Sequence, residues 1–137
     1  MTDVMDAGSL PIRPLVAEEV ARIAPDADLI AVARLLADAE VGALVVGDGE
    51  IVQGVVSERD LVRAVAAGRD LATTRAIEVA QTALVWCEVS CSVADVAEEM
   101  MEQYVRHVLV EDNGSLVGVV SARDLLGAYA IADLGDE

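Results

Sequence analysis

The sequence predicts a mixed α/β (α+β) protein made of two copies of one β-α-β-β-α unit. The first observation is an internal repeat: residues 44–62 (LVVGDGEIVQGVVSERDLV) match residues 108–126 (VLVEDNGSLVGVVSARDLL) at an offset of 64 without a gap. The second is that each copy changes from a helical apolar period to short β-rich runs and back to a helix. The third is composition: 55% of the 137 residues are hydrophobic but 2% are aromatic, so the core is built from aliphatic side chains.

The repeat divides the chain into two domains and a linker. The match extends over residues 12–67 and 76–131, and residues 68–75 (GRDLATTR) lie between the copies. Each copy begins with a short strand, which we expect at about residues 20–23 and 84–87. We therefore expect two similar units joined by a short connection.

A long amphipathic helix follows the first strand of each copy. In the second copy Ser92 and Asp95 form a capping box, and Asp28 takes the N-cap position in the first copy. The first-copy helix, residues 29–40, is apolar over an unusually wide arc, which suggests a second buried surface such as a partner chain. In the second copy the apolar residues recur at helical spacing and predict one buried face: Val93, Val96, Ala97, Met100, Met101 and Tyr104.

A β-hairpin comes next in each copy. Asp48-Gly49 and Asn113-Gly114 are dipeptides that tolerate the positive φ of a hairpin turn. In the first copy we expect the paired strands at about residues 43–46 and 51–56.

The second helix of each copy begins at a repeated Ser-x-x-Asp sequence. Ser57 with Asp60 and Ser121 with Asp124 fit a capping box, which stabilises a helix start by ~1 kcal/mol. The same place presents free N–H groups and the positive end of a helix dipole, which attract a phosphate. Gly68 is expected to end the first of these helices.

The repeated motif, GVVSERD at residues 54–60 and GVVSARD at residues 118–124, resembles that of the cystathionine β-synthase (CBS) domain family. The resemblance covers nearly the whole chain as a tandem pair, called a Bateman module. It implies two repeats related by a pseudo-twofold axis, with clefts that often hold AMP, ADP, ATP or S-adenosylmethionine. It also implies a homodimer. The segments before the first strands, residues 15–17 and 79–81, lack the hydroxyls common in the family.

The resemblance implies that Ser57, Asp60, Ser121 and Asp124 contact such a ligand. An ionised Asp can accept hydrogen bonds from both ribose hydroxyls, and these charge-assisted bonds are the stronger ones. A purely capping role explains the same residues without any ligand.

Basic residues near these helix starts are candidates for phosphate contacts. Arg106-His107 precedes the second hairpin, where the first copy has Gly42-Ala43. Arg59 and Arg123 come directly before the two Asp residues, and they either reach a phosphate or pair with surface acids.

Cys87 and Cys91 have a C-x3-C spacing. A single His leaves a four-ligand zinc site short of ligands, so no metal site is expected. Idle thiols are the simplest interpretation, and a redox pair is an alternative.

Composition limits the function. The net charge of −16 opposes binding to nucleic acid or to anionic membranes. No apolar run is long enough to span a membrane and no signal peptide is expected, which predicts a cytoplasmic protein. No catalytic motif appears, so we expect no enzyme and no required cofactor. The resemblance to the CBS domain family therefore implies a regulatory adenylate-binding protein with an unknown protein partner. The alternatives are an interaction module with empty clefts, or a redox or metal sensor through the two cysteines.

Overall fold

The computed structural model describes residues 7–16 and 20–135, which fall into two compact units. One unit consists of residues 20–84, and the other combines residues 7–16 with residues 85–135. Each unit contains one three-stranded sheet and two principal helices. The mixed α+β class with two similar halves is therefore confirmed.

The 20–84 unit is built from three strands and three helices, which are β1 (Arg22–Ile23), α1 (Leu29–Ala39), β2 (Ala43–Val46), β3 (Gly54–Ser57), α2 (Glu58–Ala66) and α3 (Ala76–Val79). Its sheet has the order β1-β2-β3, with β1 parallel to β2 and β2 antiparallel to β3. The aliphatic core of this unit lies between the sheet and the inner faces of α1 and α2.

The 85–135 unit is built from three strands and two helices, which are β4 (Trp86–Glu88), α4 (Val93–Gln103), β5 (His107–Asp112), β6 (Ser115–Ser121) and α5 (Ala122–Gly135). Its sheet repeats the order and the directions of the first, as β4-β5-β6. Residues 7–9 and 13–15 add two short 3-10 turns to this unit.

A short segment docks at the start of the long helix in each unit. The Ala76 N–H donates to the Ala27 carbonyl at 2.7 Å in the 20–84 unit, and the Ile12 N–H donates to the Cys91 carbonyl at 2.9 Å in the other. Ile12 and Ala76 are both fully buried. The boundaries of the compact units therefore differ from those of the sequence repeats, because Ile12 is the first residue of the first repeat but packs with residues 85–135.

The predicted caps are present at the helix ends. The Asp28 side chain accepts the N–H three residues along at 2.8 Å, and Ser92 with Asp95 forms the reciprocal capping box. Gly68 follows the end of α2 with a φ of +74°, and its N–H donates to the Val65 carbonyl at 3.0 Å. These are the bonds that satisfy backbone groups left free at helix termini.

The two hairpins differ in their turns. Asn113 and Gly114 take φ values of +53° and +82° and join β5 to β6 directly. In the first copy Gly49 also has a positive φ, but β3 begins at Gly54 rather than near residue 51. The Ile51 N–H donates to Asp48, which makes a further turn and keeps residues 51–53 out of the strand.

The helix faces agree in part with the apolar pattern. Val93, Val96 and Met100 are buried, but Met101 is 77% exposed and Tyr104 is 94% exposed. Met101 lies at the margin of the predicted face, about 80° from Val93 at 100° per residue. Tyr104 lies beyond the last turn of α4 with a φ of +56°, so it no longer follows the helical face.

The wide apolar arc of α1 is largely absorbed by its own unit. Leu29, Val32 and Leu36 are buried, and Leu35 packs against the same core. Ile30 is exposed, and it is the one exposed residue among the five that form the arc: Leu29, Ile30, Val32, Leu35 and Leu36. The arc therefore does not by itself require a partner chain.

None of the helices within residues 7–16 and 20–135 combines the length and apolarity needed to cross a bilayer.

Candidate functional site

The start of α2 is closed by reciprocal hydrogen bonds between Ser57 and Asp60. The Ser57 N–H donates to Asp60 Oδ2 at 2.8 Å, and the Asp60 N–H donates to Ser57 Oγ at 3.3 Å. The Ser57 hydroxyl also donates to Oδ2 at 3.0 Å. Asp60 is 5% exposed although its side chain is acidic. The predicted capping box is therefore present, and it uses one of the two carboxylate oxygens.

The second oxygen of Asp60 accepts a hydrogen bond from Gln81. Gln81 Nε2 lies 3.3 Å from Asp60 Oδ1. The Gln81 backbone is fixed against β3, because its N–H donates to the Val55 carbonyl at 2.8 Å and its carbonyl accepts the Val55 N–H at 3.0 Å. Both oxygens of Asp60 thus bind groups of the chain itself.

Gly54 allows this segment to approach β3 closely. A Cβ at Gly54 would lie 2.9 Å from the Gln81 carbonyl oxygen and 3.2 Å from the Ala80 Cβ. A contact that short with backbone requires the neighbouring segment to shift. The glycine of the repeated motif is therefore a packing requirement in this unit.

The short helix α3 leads directly into Gln81 and is held by Glu78. The Arg75 N–H donates to Glu78 Oε2 at 2.7 Å, and Arg69 Nη2 donates to Glu78 Oε1 at 3.3 Å. The backbone hydrogen bond from Arg75 is the main cause that lowers the pKa of the Glu78 carboxyl, and the two guanidinium charges lower it further. Arg69 and Arg75, from the segment between the repeats, thus bind the Glu78 carboxylate at the start of α3.

The start of α5 has the same cap without the glutamine. The Ser121 N–H donates to Asp124 Oδ2 at 2.8 Å, and the Asp124 N–H donates to Ser121 Oγ at 3.1 Å. Asp124 is half-buried, in contrast to Asp60. At the offset of 64 the counterpart of Gln81 is Ala17, which lies outside the described residues and whose methyl side chain has no hydrogen-bond donor.

The basic pair Arg106-His107 lies directly beside the start of α5. The Ala122 N–H donates to the Arg106 carbonyl at 2.8 Å, and His107 pairs with Ser121 across β5 and β6. Arg106 is exposed and His107 is half-buried. Within this unit the backbone of the pair therefore lies at the helix start that carries Asp124.

The equivalent place in the 20–84 unit has the same backbone but no basic side chain. The Glu58 N–H donates to the Gly42 carbonyl at 3.0 Å, and Ala43 pairs with Ser57. The two helix starts therefore differ in charge rather than in backbone arrangement.

Arg59 and Arg123 occupy matching exposed positions in the first turns of α2 and α5. Among the side chains that the structure describes, in residues 8–16 and 20–130, the ion pairs involve Arg13, Arg69 and Arg75 instead. A contact of Arg59 or Arg123 with a phosphate stays a prediction.

An acidic groove of about 520 Å³ is formed by residues of β4, β5, α4 and the turn before α4. Burial, followed by the neighbouring Cys91 thiol, raises the pKa of the Cys87 thiol to about 12. Within the described ranges no three His, Cys, Asp or Glu side chains come close enough together to hold a metal ion. Cys87, Cys91 and Trp86 line the groove together with six carboxylates: Glu88, Asp95, Glu98, Glu99, Glu102 and Glu111.

Gln81 and the acidic groove were not part of the predicted site. Residues 79–81 are notable in the sequence for their lack of hydroxyls, and Gln81 is not among the predicted ligand-binding residues. Comparison of the two copies carries the signal, because position 81 is Gln where position 17 is Ala. The groove is lined by residues of α4, β4 and β5, so the spacing of the acidic residues along α4 does not by itself predict it.

The family model of the CBS domain matches this chain twice, over residues 7–67 and 76–131. A search of curated protein sequences found no match. Among solved structures, a protein with CBS domains from Burkholderia ambifaria MC40-6 is 32% identical, with a TM-score of 0.77 and coverage of 85% of each chain.

Two further solved structures were found with a bound molecule or ion. A CBS domain protein from Pyrobaculum aerophilum complexed with AMP is 32% identical, with a TM-score of 0.76 over 89% of this chain and 99% of that chain. Hypoxic Response Protein I with two coordinated zinc ions is 28% identical, with a TM-score of 0.69 over 85% of this chain and 97% of that chain.

Proposed function

Because this chain belongs to the CBS domain family and carries two copies of the domain, as in a Bateman module, we propose that it is a regulatory protein that binds an adenosine-containing ligand. The ligand class is AMP, ADP, ATP or S-adenosylmethionine. Support comes from the Pyrobaculum aerophilum relative, which is complexed with AMP and is 32% identical to this chain. Ligand binding would shift the populations of two conformations and so change the surface offered to a separate protein partner.

The observation that carries this proposal is the position of Arg106-His107 beside the start of α5. The Arg106 carbonyl accepts the first N–H of that helix at 2.8 Å, and His107 is the register partner of Ser121. A phosphate near this helix start would meet the positive end of the helix dipole and the Arg106 guanidinium together. Arg123, in the same first turn, is a further phosphate contact in the proposal.

Asp124 is the proposed ribose-binding group. Its Oδ2 accepts the Ser121 N–H at 2.8 Å, and none of the described side chains, in residues 8–16 and 20–130, donates to its other oxygen. That oxygen would accept hydrogen bonds from the ribose hydroxyls, which are strengthened by the negative charge of the carboxylate. Asp124 is also half-buried, so a ligand reaches it without displacing a side chain that the structure describes.

Asp60 is a poor ribose-binding group in comparison. Its two oxygens accept from Ser57 and from Gln81. A ribose hydroxyl would have to replace the Gln81 amide, and the gain would be the difference between two similar hydrogen bonds. We therefore propose one phosphate-bearing ligand per chain, bound at α5.

The charge of the protein strengthens this assignment. A phosphate adds negative charge to a chain that already carries −16, so binding needs local positive charge. Arg106 supplies it at α5, whereas Gly42 and Ala43 stand in the matching place at α2. The proposed role is regulatory, in keeping with membership of the CBS domain family.

Titration calorimetry with AMP and with adenosine tests the proposal. We expect about one AMP per chain and clearly weaker binding of adenosine, because adenosine lacks the phosphate that Arg106 would bind. Two equal AMP sites per chain would contradict the assignment to α5. No binding of AMP, ADP, ATP or S-adenosylmethionine would favour the alternative, an interaction module without a nucleotide.

We also propose a homodimer, formed through the exposed apolar faces of α2 and α5. Val62 and Val65 on α2 are 65% and 59% exposed, and Leu126 and Tyr129 on α5 are 70% and 38% exposed. Burial of such side chains against a second copy would remove apolar surface from water.

Light scattering tests the dimer directly. We expect a mass near twice the 14.3 kDa of one chain. Leu126→Glu should give the monomer, whereas Ile51→Glu, at a similarly exposed position in the first hairpin loop, should leave the dimer intact. A monomeric parent protein at micromolar concentration would reject the proposal.

A further inference from the structure

Cys87 and Cys91 stand on either side of a tight turn in the 85–135 unit. Cys87 is the middle residue of β4, and Cys91 comes just before the N-cap of α4. The Cys91 N–H donates to the Glu88 carbonyl at 2.9 Å, which closes the turn between the two thiols. Both cysteines line the same acidic groove, four residues apart across this turn.

The two thiols differ in access to solvent. Cys87 is 9% exposed and Cys91 is half-buried, and both are free cysteines. Burial, followed by the neighbouring Cys91 thiol, raises the pKa of Cys87. Cys91 is therefore the thiol that meets a reagent first, and Cys87 is placed behind it to react with the product.

We propose that Cys87 and Cys91 form a reversible intramolecular disulfide by reaction with a peroxide. The Cys91 thiolate attacks one oxygen of hydrogen peroxide, the O–O bond breaks, and Cys91 becomes a sulfenic acid while hydroxide leaves and takes up a proton to form water. The Cys87 sulfur then attacks the Cys91 sulfur, the S–O bond breaks, and a second water leaves as the disulfide forms. The dithiol loses two electrons and the peroxide gains two.

The groove favours a neutral oxidant over an anionic one. Six carboxylates surround the two thiols, from β4, α4 and β5. Glutathione disulfide carries net negative charge at neutral pH and would be repelled, whereas hydrogen peroxide is uncharged. Because the thiolate is the form that reacts with peroxide, we expect oxidation to accelerate as the pH rises.

The counterpart positions in the 20–84 unit provide an internal contrast. Ile23 and Ala27 take the places of Cys87 and Cys91, and Ile23 is also 9% exposed. The thiol pair is therefore a feature of one unit and is not needed to form the strand, the turn or the helix start.

Intact mass measurement after treatment with hydrogen peroxide tests the proposal. We expect the parent chain to lose the mass of two hydrogen atoms, to remain one chain without reductant, and to recover fully with dithiothreitol. Oxidised glutathione at the same concentration should react at least about tenfold more slowly. Trp86 lies in the groove and is the single tryptophan, so its fluorescence should follow the reaction.

Single substitutions separate the two roles. Cys87→Ser should accumulate a Cys91 sulfenic acid that dimedone traps, and Cys91→Ser should react far more slowly than the parent. Four results would each overturn the proposal. The parent chain could gain oxygen atoms without losing two hydrogens, form a disulfide between chains, or not react. The fourth result is equal reactivity of Cys91→Ser and the parent. The parent chain alone decides the first three outcomes, so they hold even if a variant fails to fold.

Discussion

The starts of α2 and α5 share their backbone arrangement and their caps but differ in what surrounds the carboxylate. At α2, Asp60 is buried and its second oxygen accepts a hydrogen bond from Gln81 at 3.3 Å. At α5, Asp124 is half-buried and lies beside the basic pair that begins with Arg106. The capping box thus serves the fold in both copies, and the surroundings decide whether the same carboxylate is also suited to a ligand.

The comparison indicates that the repeated Ser-x-x-Asp motif does not have to have the same function in both copies. Ser and Asp at a helix start are explained completely by capping, which stabilises each helix by ~1 kcal/mol. A ligand needs an available acceptor on the carboxylate and a compensating charge, and both depend on residues outside the motif. In this chain the two copies differ at those outside positions, 81 against 17 and 106–107 against 42–43.

The largest expected effect is on phosphate binding at α5. Arg106→Ala should weaken AMP binding by ~1.5–3 kcal/mol, or about 10- to 150-fold, because a charge-assisted hydrogen bond is lost. Because the proposed ligand binds at α5, Arg59→Ala at the start of α2 should leave the affinity unchanged and serves as the control. Calorimetry of both variants checks this, and equal losses in the two would mean that the charge difference between the copies does not matter.

The next effect concerns the packing that holds Gln81 beside Asp60. Gly54→Ala should lower the free energy of unfolding by ~1–3 kcal/mol, because the new Cβ would lie 2.9 Å from the Gln81 carbonyl oxygen. Gly42→Ala is the control, since a Cβ at Gly42 meets nothing within 4 Å. Urea denaturation compares the two variants. Similar stability of both would show that residues 80–81 do not pack tightly on β3.

A smaller effect distinguishes the two units at high pH. The pKa of Cys87 is raised from 9.0 to about 12 in the folded protein, mainly by burial, so the folded state keeps this proton after the unfolded chain has lost it. Stability from this group is therefore complete below pH 9 and falls above it, by up to ~1.4 kcal/mol per pH unit. Ile23, the counterpart in the other unit, does not titrate.

Urea midpoints measured in reductant on both sides of pH 9 check this expectation. Cys87→Val should lose part of the alkaline decline, while Cys91→Ser should keep most of it. The same decline in Cys87→Val and in the parent would assign it to other groups.

Local signals in the sequence account for most of the fold. The caps at Asp28, Ser57 and Ser92 and the stop at Gly68 depend on residues within one helical turn, so the pattern alone locates them. The exposed positions of Met101 and Tyr104 were wrongly expected to be buried, because a helical period ignores where the helix ends.

The candidate site was predictable only in part. Its residues were identified from the motif, but the Gln81–Asp60 bond joins positions 21 residues apart and depends on how residues 80–81 pack on β3. The position of the Arg106 backbone beside the start of α5 depends likewise on the register of β5 with β6. Such tertiary contacts are not encoded in local spacing.

The central claim is that Asp124, and not Asp60, binds the ribose of an adenine nucleotide. The most direct measurement is AMP titration of Asp124→Asn and Asp60→Asn side by side, since asparagine keeps a side-chain oxygen for the cap and removes the charge. The account predicts that Asp124→Asn weakens binding by ~1 kcal/mol or more, at least about fivefold, and that Asp60→Asn binds like the parent. Weaker binding by Asp60→Asn with unchanged binding by Asp124→Asn would contradict it.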